Sequence, residues 1–302
     1  MNKTFKSGFV AIIGRPNVGK STLLNQFLKQ KIVIVSPKAQ TTRNKIQGIY
    51  TDDEAQIVFI DTPGFHKPKT ELGKIMNDYV SSALSGVDVV LLMCDVTKKM
   101  SEDDEKMITE LLKTKIPTIL VGNKVDLIKD QNELVNNMES YRSCFPFVSG
   151  ISISASNNYQ VDELIQLIKN NLKAGPMYYP EDQLLDQPER FVVQEIIREK
   201  ILLKTDDEVP HSVAVEIESF KENPNKPGLI EIHATIVVER QSQKKIIIGA
   251  KGQKIKEIGI ASRHDIAKLL GNKVYLELFV KVEENWRNHK SQLSNFGYIK
   301  EV

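Results

Sequence analysis

Apolar and polar positions alternate regularly in the first part of the chain. Up to about residue 172, short apolar runs, which predict strands, alternate with amphipathic stretches, which predict helices. Strands and helices alternating at this spacing predict an α/β domain with a mostly parallel sheet covered on both faces. The predicted strands are 9–13, 57–60, 87–94, 118–121 and 150–154, and the predicted helices are 20–28, 73–84, 103–113, 132–141 and 161–172.

The pattern changes after a proline-containing stretch without sustained periodicity. Beyond it, the spacing predicts a helix, two alternating strands, a pair of helices and a closing strand. This order predicts a second, smaller α+β domain. The elements are 189–204, 213–219, 230–238, the helix pair around 249–252, and 273–282. The predicted boundaries are 1–172 for the first domain, 173–188 for a linker and 189–302 for the second domain.

Composition narrows the class of protein. The chain has 302 residues, which is enough for two domains, and its net charge is only +2. A uniformly basic nucleic-acid-binding tail and a polyacidic disordered chain are therefore excluded. The two cysteines form no CxxC pair, which excludes a disulfide framework and a cysteine-rich zinc site. No apolar run approaches the roughly 20 residues of a membrane span, and no signal peptide is recognised, so we expect a cytosolic protein.

The first predicted strand runs into GRPNVGKS, a phosphate-binding loop between a strand and a helix. Glycines allow main-chain N–H groups to approach phosphates, and the start of the helix adds partial positive charge. Lys20 is expected to reach the β- and γ-phosphates, and the Ser21 hydroxyl to bind Mg²⁺. The expected phosphate-binding residues are Gly14, Arg15, Pro16, Asn17, Val18, Gly19, Lys20, Ser21 and Gly64.

Two further segments can sense a γ-phosphate. DTPG follows the strand at 57–60, where Asp61 can hold Mg²⁺ and the Gly64 N–H can meet the γ-phosphate. Between the loops lies SPKAQTTR at 36–43, in which Thr42, with Thr41 as the alternative, is expected to offer a hydroxyl to Mg²⁺. The expected switch residues are Thr41, Thr42, Asp61, Thr62, Pro63, Gly64 and Phe65.

A later strand ends in NKVD, which predicts guanine recognition. Asp126 can accept hydrogen bonds from guanine N1 and the exocyclic amine, donors that adenine lacks. Asn123 can bridge to the phosphate loop, the Lys124 stem can cover the base, and the Ala155 N–H can donate to guanine O6. The expected base-binding residues are Asn123, Lys124, Asp126, Ser154 and Ala155.

Charge is strongly segregated in the second domain. Residues 205–239 carry eight acidic and two basic side chains, whereas residues 240–273 carry nine basic and two acidic ones. The basic strip surrounds IIIGAKGQKI, and a GxxG loop between helices allows close approach of a nucleic-acid backbone, as in KH modules. The element order matches a type II KH domain. The expected RNA-binding residues are Lys244, Lys245, Gly249, Ala250, Lys251, Gly252 and Lys254.

The motifs GRPNVGKS, QTTR, DTPG and NKVD, followed by the GxxG loop, resemble the Era family of GTPases along essentially the whole chain. The resemblance implies GTP hydrolysis with Mg²⁺, and binding to 16S rRNA near its 3′ end during assembly of the 30S subunit. Signalling GTPases have a glutamine where this chain has Phe65, so we expect slow intrinsic hydrolysis and identify no side-chain base. Asn17 resembles an asparagine that binds K⁺ in cation-activated GTPases.

Two alternatives remain open from the residues alone. The chain can be a GTP-dependent signalling protein whose basic C-terminal half docks protein or anionic lipid, which includes peripheral attachment to the inner face of the cell membrane. It can also be a nucleotide-dependent RNA-modifying enzyme, although no catalytic cysteine or cofactor motif supports this. We expect a monomer and no DNA partner.

Overall fold

The structure is a computed structural model that describes residues 4–38, 40–65, 68–206 and 208–299. Its contacts divide the chain into two compact units. The first unit comprises Met1–Val33, Thr42–Pro68 and Met76–Asp186, and the second comprises Ile34–Thr41, Lys69–Ile75 and Gln187–Val302. None of the helices in these described ranges is long and apolar enough to cross a membrane.

The first unit is built on a mostly parallel sheet, as the alternating pattern predicts. The strands are β1 (Lys6–Ile13), β2 (Ile46–Thr51), β3 (Ala55–Asp61), β4 (Val89–Asp95), β5 (Thr118–Asn123), β6 (Ser149–Ile153) and β7 (Lys173–Ala174). Their order in the sheet is β2-β3-β1-β4-β5-β6; β2 runs antiparallel to β3, and β7 pairs antiparallel with the start of β1. Every residue of β3 and β4 is buried, which explains their continuous apolar runs.

Helices connect the parallel strands and cover the sheet. One hydrophobic cluster joins Ala11, Val90 and Leu92 of the strands to Ile108 and Tyr141 of the helices. The carboxyl ends of β1, β3 and β5 lead into the three predicted nucleotide loops. The helices are α1 (Lys20–Phe27), α2 (Glu71–Ala83, in this unit from Met76 onward), α3 (Glu102–Leu112), α4 (Gln131–Arg142) and α5 (Val161–Asn171).

The edge strand β2 is not predicted from the hydrophobic pattern. Gln47 and Gly48 interrupt its apolar run, and a side chain at Gly48 would come within 2.6 Å of Leu24 Cδ1. The segment predicted as a linker continues this edge, since Ile49 N donates to Leu184 O at 2.9 Å. Hydrogen bonds made by main-chain atoms leave no periodic signal in the sequence, so the pattern could not reveal this packing.

The second unit has a three-stranded sheet in the order β10-β9-β8, with β9 parallel to β10 and antiparallel to β8. All elements predicted for residues 189–282 are present in the predicted order, and α7 and α10 are additional. Trp286 is fully buried and donates from Nε1 to Ser212 O at 2.9 Å. The elements are α6 (Glu189–Lys204), α7 (Val209–Ser212), β8 (Ala214–Glu222), β9 (Leu229–Val238), α8 (Gln241–Ile248), α9 (Gln253–Leu270), β10 (Lys273–Val282) and α10 (Lys290–Asn295).

Candidate nucleotide site and nucleic-acid interface

The phosphate loop joins β1 to α1 in a conformation that requires glycine. Gly14 and Gly19 have φ values of 154° and 105°, and a Cβ atom on Gly14 would lie 2.4 Å from Met93 O. A Cβ atom on Gly19 would lie 2.2 Å from Asn123 Nδ2. Asn17 also has a positive φ, 63°, and its side chain is exposed. The contacts at Gly14 and Gly19 leave room only for glycine at both positions, where the chain turns into the start of α1.

Lys20 is a buried cation in this loop. Its Nζ donates to the carbonyl oxygens of Gly14 at 2.9 Å and of Arg15 at 3.0 Å. Burial lowers the pKa of Lys20 to about 8, and the charge of Asp61 opposes this shift. Burial also raises the pKa of Asp61, while Lys20 and the Ser21 hydroxyl act in the opposite direction. These two charges partly offset each other, and a phosphate group would stabilise the ammonium further.

Three side-chain oxygen atoms that could bind a metal ion lie close together beside Lys20. Ser21 Oγ lies 2.8 Å from Thr42 Oγ1 and donates to Asp61 Oδ2 at 2.7 Å. Asp61 Oδ1 is buried and has no hydrogen-bond partner among the residues that the structure describes. Hydroxyl and carboxylate oxygens are the ligands that Mg²⁺ prefers, so this donor set fits the ion.

Thr41 is not part of this cluster. Its hydroxyl lies 2.7 Å from Ser36 Oγ and donates to Lys38 O at 2.7 Å. Residues 34–41 belong to the second unit, in which Val35 N donates to Glu199 Oε1 at 3.0 Å and Thr41 O accepts from Arg198. The geometry therefore favours Thr42 over Thr41 as the metal-binding threonine. Ala39 of this segment lies outside the described residues.

The DTPG loop passes close to the phosphate loop. Thr62 Oγ1 donates to Ile12 O at 3.0 Å, and a Cβ atom on Gly64 would lie 2.5 Å from Pro16 N. Only glycine fits at this distance. Phe65, together with Ile13 and Val80, lines a cavity of about 300 Å³. This position of Phe65 is that of a packing residue and gives it no group that could orient a water molecule.

Asn123 links the other predicted loops. Its Nδ2 donates to Val18 O at 2.7 Å, and its Oδ1 accepts from Ala155 N at 2.9 Å. The Asn123 bridge to the phosphate loop is thus present. The Ala155 N–H, which the sequence suggested for guanine O6, donates here to Asn123 instead. Ser154 Oγ lies 3.1 Å from Ser156 Oγ and accepts from Asn157 N.

The NKVD loop leaves one carboxylate exposed at its end. Lys124 has a positive φ of 74°, and its Nζ forms an ion pair with Asp95 Oδ2 at 2.7 Å. This pair fixes the Lys124 stem. Asp126 follows in a short 3₁₀ turn, Val125–Leu127, and its side chain is exposed. The exposed Asp126 carboxylate can therefore accept hydrogen bonds from a base while the ion pair between Lys124 and Asp95 stays intact.

The GxxG loop connects α8 to α9 in the second unit. Gly249, Lys251 and Gly252 have φ values of 73°, 51° and 76°. A Cβ atom on Gly249 would lie 2.7 Å from Lys254 Cβ, whereas a Cβ atom on Gly252 would have no neighbour within 4 Å. Gly249 is therefore required by packing, and Gly252 by its backbone conformation. The side chains of Lys245 and Lys251 are exposed, which makes the loop a cationic surface.

A groove that was not identified from the sequence continues from this loop. It has a volume of about 520 Å³ and lies between α9 and β10. Ile260 is 53% exposed there, and the groove combines apolar side chains with the basic Lys256 and Arg263 and the acidic Glu277. Lys256, Ile260 and Arg263 are spaced four and three residues apart, which places them on one face of a helix. This spacing is the sequence signal that could have revealed the groove. Its lining residues include Ile255, Lys256, Gly259, Ile260, Arg263 and Leu276.

Family models match both units of the chain. A model described as 50S ribosome-binding GTPase matches residues 9–124, and a KH domain model matches residues 208–287. These matches confirm the predicted nucleotide-binding fold and the predicted KH domain.

Similar proteins match this chain along nearly all of its length. GTPase Era of Lacticaseibacillus paracasei is 52% identical over 292 residues, which cover 97% of this chain and 96% of that protein. A crystal structure of Era in complex with MgGDPNP and nucleotides 1506–1542 of 16S ribosomal RNA matches with a TM-score of 0.94 and 40% identity, over 97% of this chain and 99% of that chain. A variant of Aquifex aeolicus Era bound to GDP·AlF₄⁻ gives the same values. Because this similarity extends through both units, the chain belongs to the GTPase Era family.

Proposed function

We propose that this chain binds GTP with Mg²⁺ in the first unit and acts as a GTP-hydrolysing switch that binds 16S rRNA near its 3′ end in the second. The observation that carries the nucleotide part is the cluster of Ser21, Thr42 and Asp61 oxygens beside Lys20. The RNA part is supported by the exposed basic GxxG loop, and by the Era structure that contains nucleotides 1506–1542 of 16S ribosomal RNA.

In the proposed hydrolysis, these residues position the phosphates and supply charge. Lys20 holds the β- and γ-phosphates, the Gly64 N–H meets the γ-phosphate, and Ser21, Thr42 and Asp61 hold Mg²⁺ directly or through water. When bound, Mg²⁺ neutralises charge that develops on the phosphate oxygens. No side chain is assigned as a base, and Phe65 packs against the hydrophobic cluster that contains Ile13 and Val80, so slow intrinsic hydrolysis is proposed.

The preference for GTP over XTP provides the sharpest test of the proposal that the first unit recognises guanine. We expect Asp126→Asn to weaken GTP binding and to shift the preference toward XTP, whose additional oxygen can accept from the amide. The shift should be about tenfold or more, because a lost hydrogen bond to a charged group is replaced by a matched one. Competition between GTP and XTP for a fluorescent nucleotide measures it, with Asp130→Asn as the control. Undiminished preference for GTP in the Asp126 variant would contradict the role of Asp126.

GTP affinity should fall as the pH rises above about 8. The pKa of Lys20 is lowered to about 8 by burial, and bound phosphates favour the protonated amine, so binding takes up a proton above that pH. The affinity should fall by up to about tenfold per pH unit there. Titrations between about pH 7.5 and 9, where the nucleotide itself changes charge least, measure this, and Lys20→Arg, which stays charged, should give a flat profile. A sloping profile in the arginine variant would assign the effect to another group.

We also propose that Asn17 helps to bind K⁺, which would supply positive charge near the transferred phosphoryl group. Support comes from its exposed side chain and its positive φ in the phosphate loop. Hydrolysis should be faster in KCl than in NaCl at equal ionic strength, and Asn17→Ala should lose this difference. Equal parent rates in both salts would contradict the proposal.

For the second unit, we propose that α8, α9 and the intervening loop bind single-stranded RNA on the 30S subunit. Lys244, Lys245, Lys251 and Lys254 would contact phosphates, and the α9–β10 groove would hold bases. We propose a monomeric protein of the cytoplasm. Anionic lipid is the competing ligand for this basic surface: phosphatidylglycerol vesicles that bind more tightly than the RNA would favour peripheral membrane attachment.

A further inference from the structure

An ion pair joins Arg15 of the phosphate loop to a buried carboxylate. Arg15 Nε is 2.9 Å from Asp104 Oδ2, and the Asp104 side chain is only 1% exposed. The same carboxylate oxygen accepts from Ser101 N at 2.9 Å and from Ser101 Oγ at 2.8 Å. These bonds cap the start of α3, so they hold Asp104 in one place. Arg15 is therefore tied to a fixed point in the first unit.

The pair lies at the edge of the hydrophobic core. Burial raises the pKa of Cys94 to about 12; Asp104 adds to this shift, and Arg15 opposes it. Burial also raises the pKa of Tyr141, with smaller contributions of the same signs from Asp104 and Arg15. Both charges thus lie close to a region that excludes water. Removal of one partner there leaves the other charge without compensation, which destabilises the fold.

The main chain of Arg15 contacts both groups that are proposed to meet the γ-phosphate. Its carbonyl oxygen accepts from Lys20 Nζ at 3.0 Å. The peptide group that links it to Pro16 lies against Gly64, where a Cβ atom would be 2.5 Å from Pro16 N and 2.6 Å from Pro16 Cα. A peptide group is planar and rigid. The ion pair with Asp104 therefore restricts not only the Arg15 side chain but also the position of the Arg15–Pro16 peptide against Lys20 and Gly64.

We infer that Arg15 is a positioning residue that acts through Asp104: the ion pair fixes the Arg15–Pro16 peptide against Lys20 and Gly64, and thereby sets the preference for GTP over GDP. This inference rests on the proposed function. GDP lacks the phosphate that Gly64 would meet, so a displaced Arg15–Pro16 peptide should weaken the triphosphate complex selectively.

The test compares GDPNP and GDP, each titrated calorimetrically with Mg²⁺ into the full chain. Arg15→Met should lower GDPNP affinity about tenfold and GDP affinity no more than about twofold, because the Gly64 N–H that packs against the Arg15–Pro16 peptide meets only the γ-phosphate, whose charged hydrogen bond is lost. Asp104→Asn should have the same selective effect, since an amide can still accept from Ser101 but carries no charge. Arg15→Lys should restore the melting temperature more fully than the ratio of GDPNP to GDP affinity. Its ammonium keeps the charge opposite Asp104 but lacks the planar guanidinium geometry.

Further variants separate positioning from folding. Arg15→Met combined with Asp104→Asn removes both charges of the pair, so its melting temperature should exceed that of Arg15→Met alone, while selectivity stays lost. The matched control is Lys106→Met with Asp103→Asn, which removes an exposed pair of 3.3 Å from the same helix and should leave both affinities unchanged.

Two results would overturn the inference: equal losses of GDPNP and GDP affinity in Arg15→Met, or recovery of the GDPNP/GDP ratio in the double variant. A parent chain that binds neither nucleotide would instead contradict the proposed function itself. The selective loss in a folded variant is the result that supports the inference.

Discussion

Lys20→Ala should reduce GTP affinity about a hundredfold or more, because it removes charged hydrogen bonds to two phosphate groups at once. The ammonium is buried in the phosphate loop, where its interaction with a phosphate is weakly screened. Equilibrium titration of a fluorescent GTP analogue measures the loss. Hydrolysis should become undetectable at nucleotide concentrations that saturate the parent.

Lys113→Ala is the control for this change. Lys113 lies next to the end of α3, its side chain is 63% exposed, and it pairs with Glu110 on the surface. Its loss should leave GTP affinity within about twofold, as is usual for exposed pairs. If folded Lys20→Ala bound GTP as tightly as the parent, the assignment of the phosphate loop would be wrong.

Gly252→Asp should weaken binding of the RNA fragment 1506–1542 by about thirtyfold or more, because it places a negative charge where a phosphate is proposed to pass. Gly252 has a φ of 76° and open space around its Cα, so aspartate adds strain and charge without a clash inside the protein. Fluorescence anisotropy across a salt series measures the loss. Lys251→Ala should cost less and lower the salt slope by about 1.

The chain contains a matched control for this variant. Gly271 follows α9 with a φ of 64°, and a Cβ atom on it would likewise have no neighbour within 4 Å. Gly271→Asp therefore adds the same charge and similar strain away from the GxxG loop. It should change RNA affinity no more than about threefold. Equal losses in the two variants would show that strain or net charge, not the GxxG loop, determines binding.

Much of the fold and site could be predicted because local patterns and local chemistry agree. The continuous apolar runs of β3 and β4 belong to strands buried on both faces, and the motif ending at Ser21 needs its glycines for main-chain geometry. Asp61 and Asn123 stand where strands end, so topology alone brings their loops to one edge of the sheet. These features depend on neighbours in sequence or on a single topological rule.

The remaining features depend on partners far apart in the sequence. Arg15 and Asp104 are separated by 89 positions, and the pattern around each indicates only a loop and a helix start. The Ala155 N–H donates to Asn123 instead of being available for guanine O6. No local sequence pattern indicates this hydrogen bond. The edge strand β2 is stabilised by main-chain bonds to the segment predicted as a linker, and these bonds leave no trace in residue type.

The proposed switch requires that the nucleotide bound in the first unit changes the affinity of the second unit for RNA. The most direct measurement is the affinity of the full chain for RNA 1506–1542 by fluorescence anisotropy, in Mg²⁺ with saturating GDPNP and then with saturating GDP. We expect clearly tighter binding with GDPNP, a difference that Asp61→Ala should abolish because it removes a proposed Mg²⁺ ligand. Equal RNA affinities in the two nucleotide states, with the nucleotide site fully occupied in both, would contradict the proposed switch.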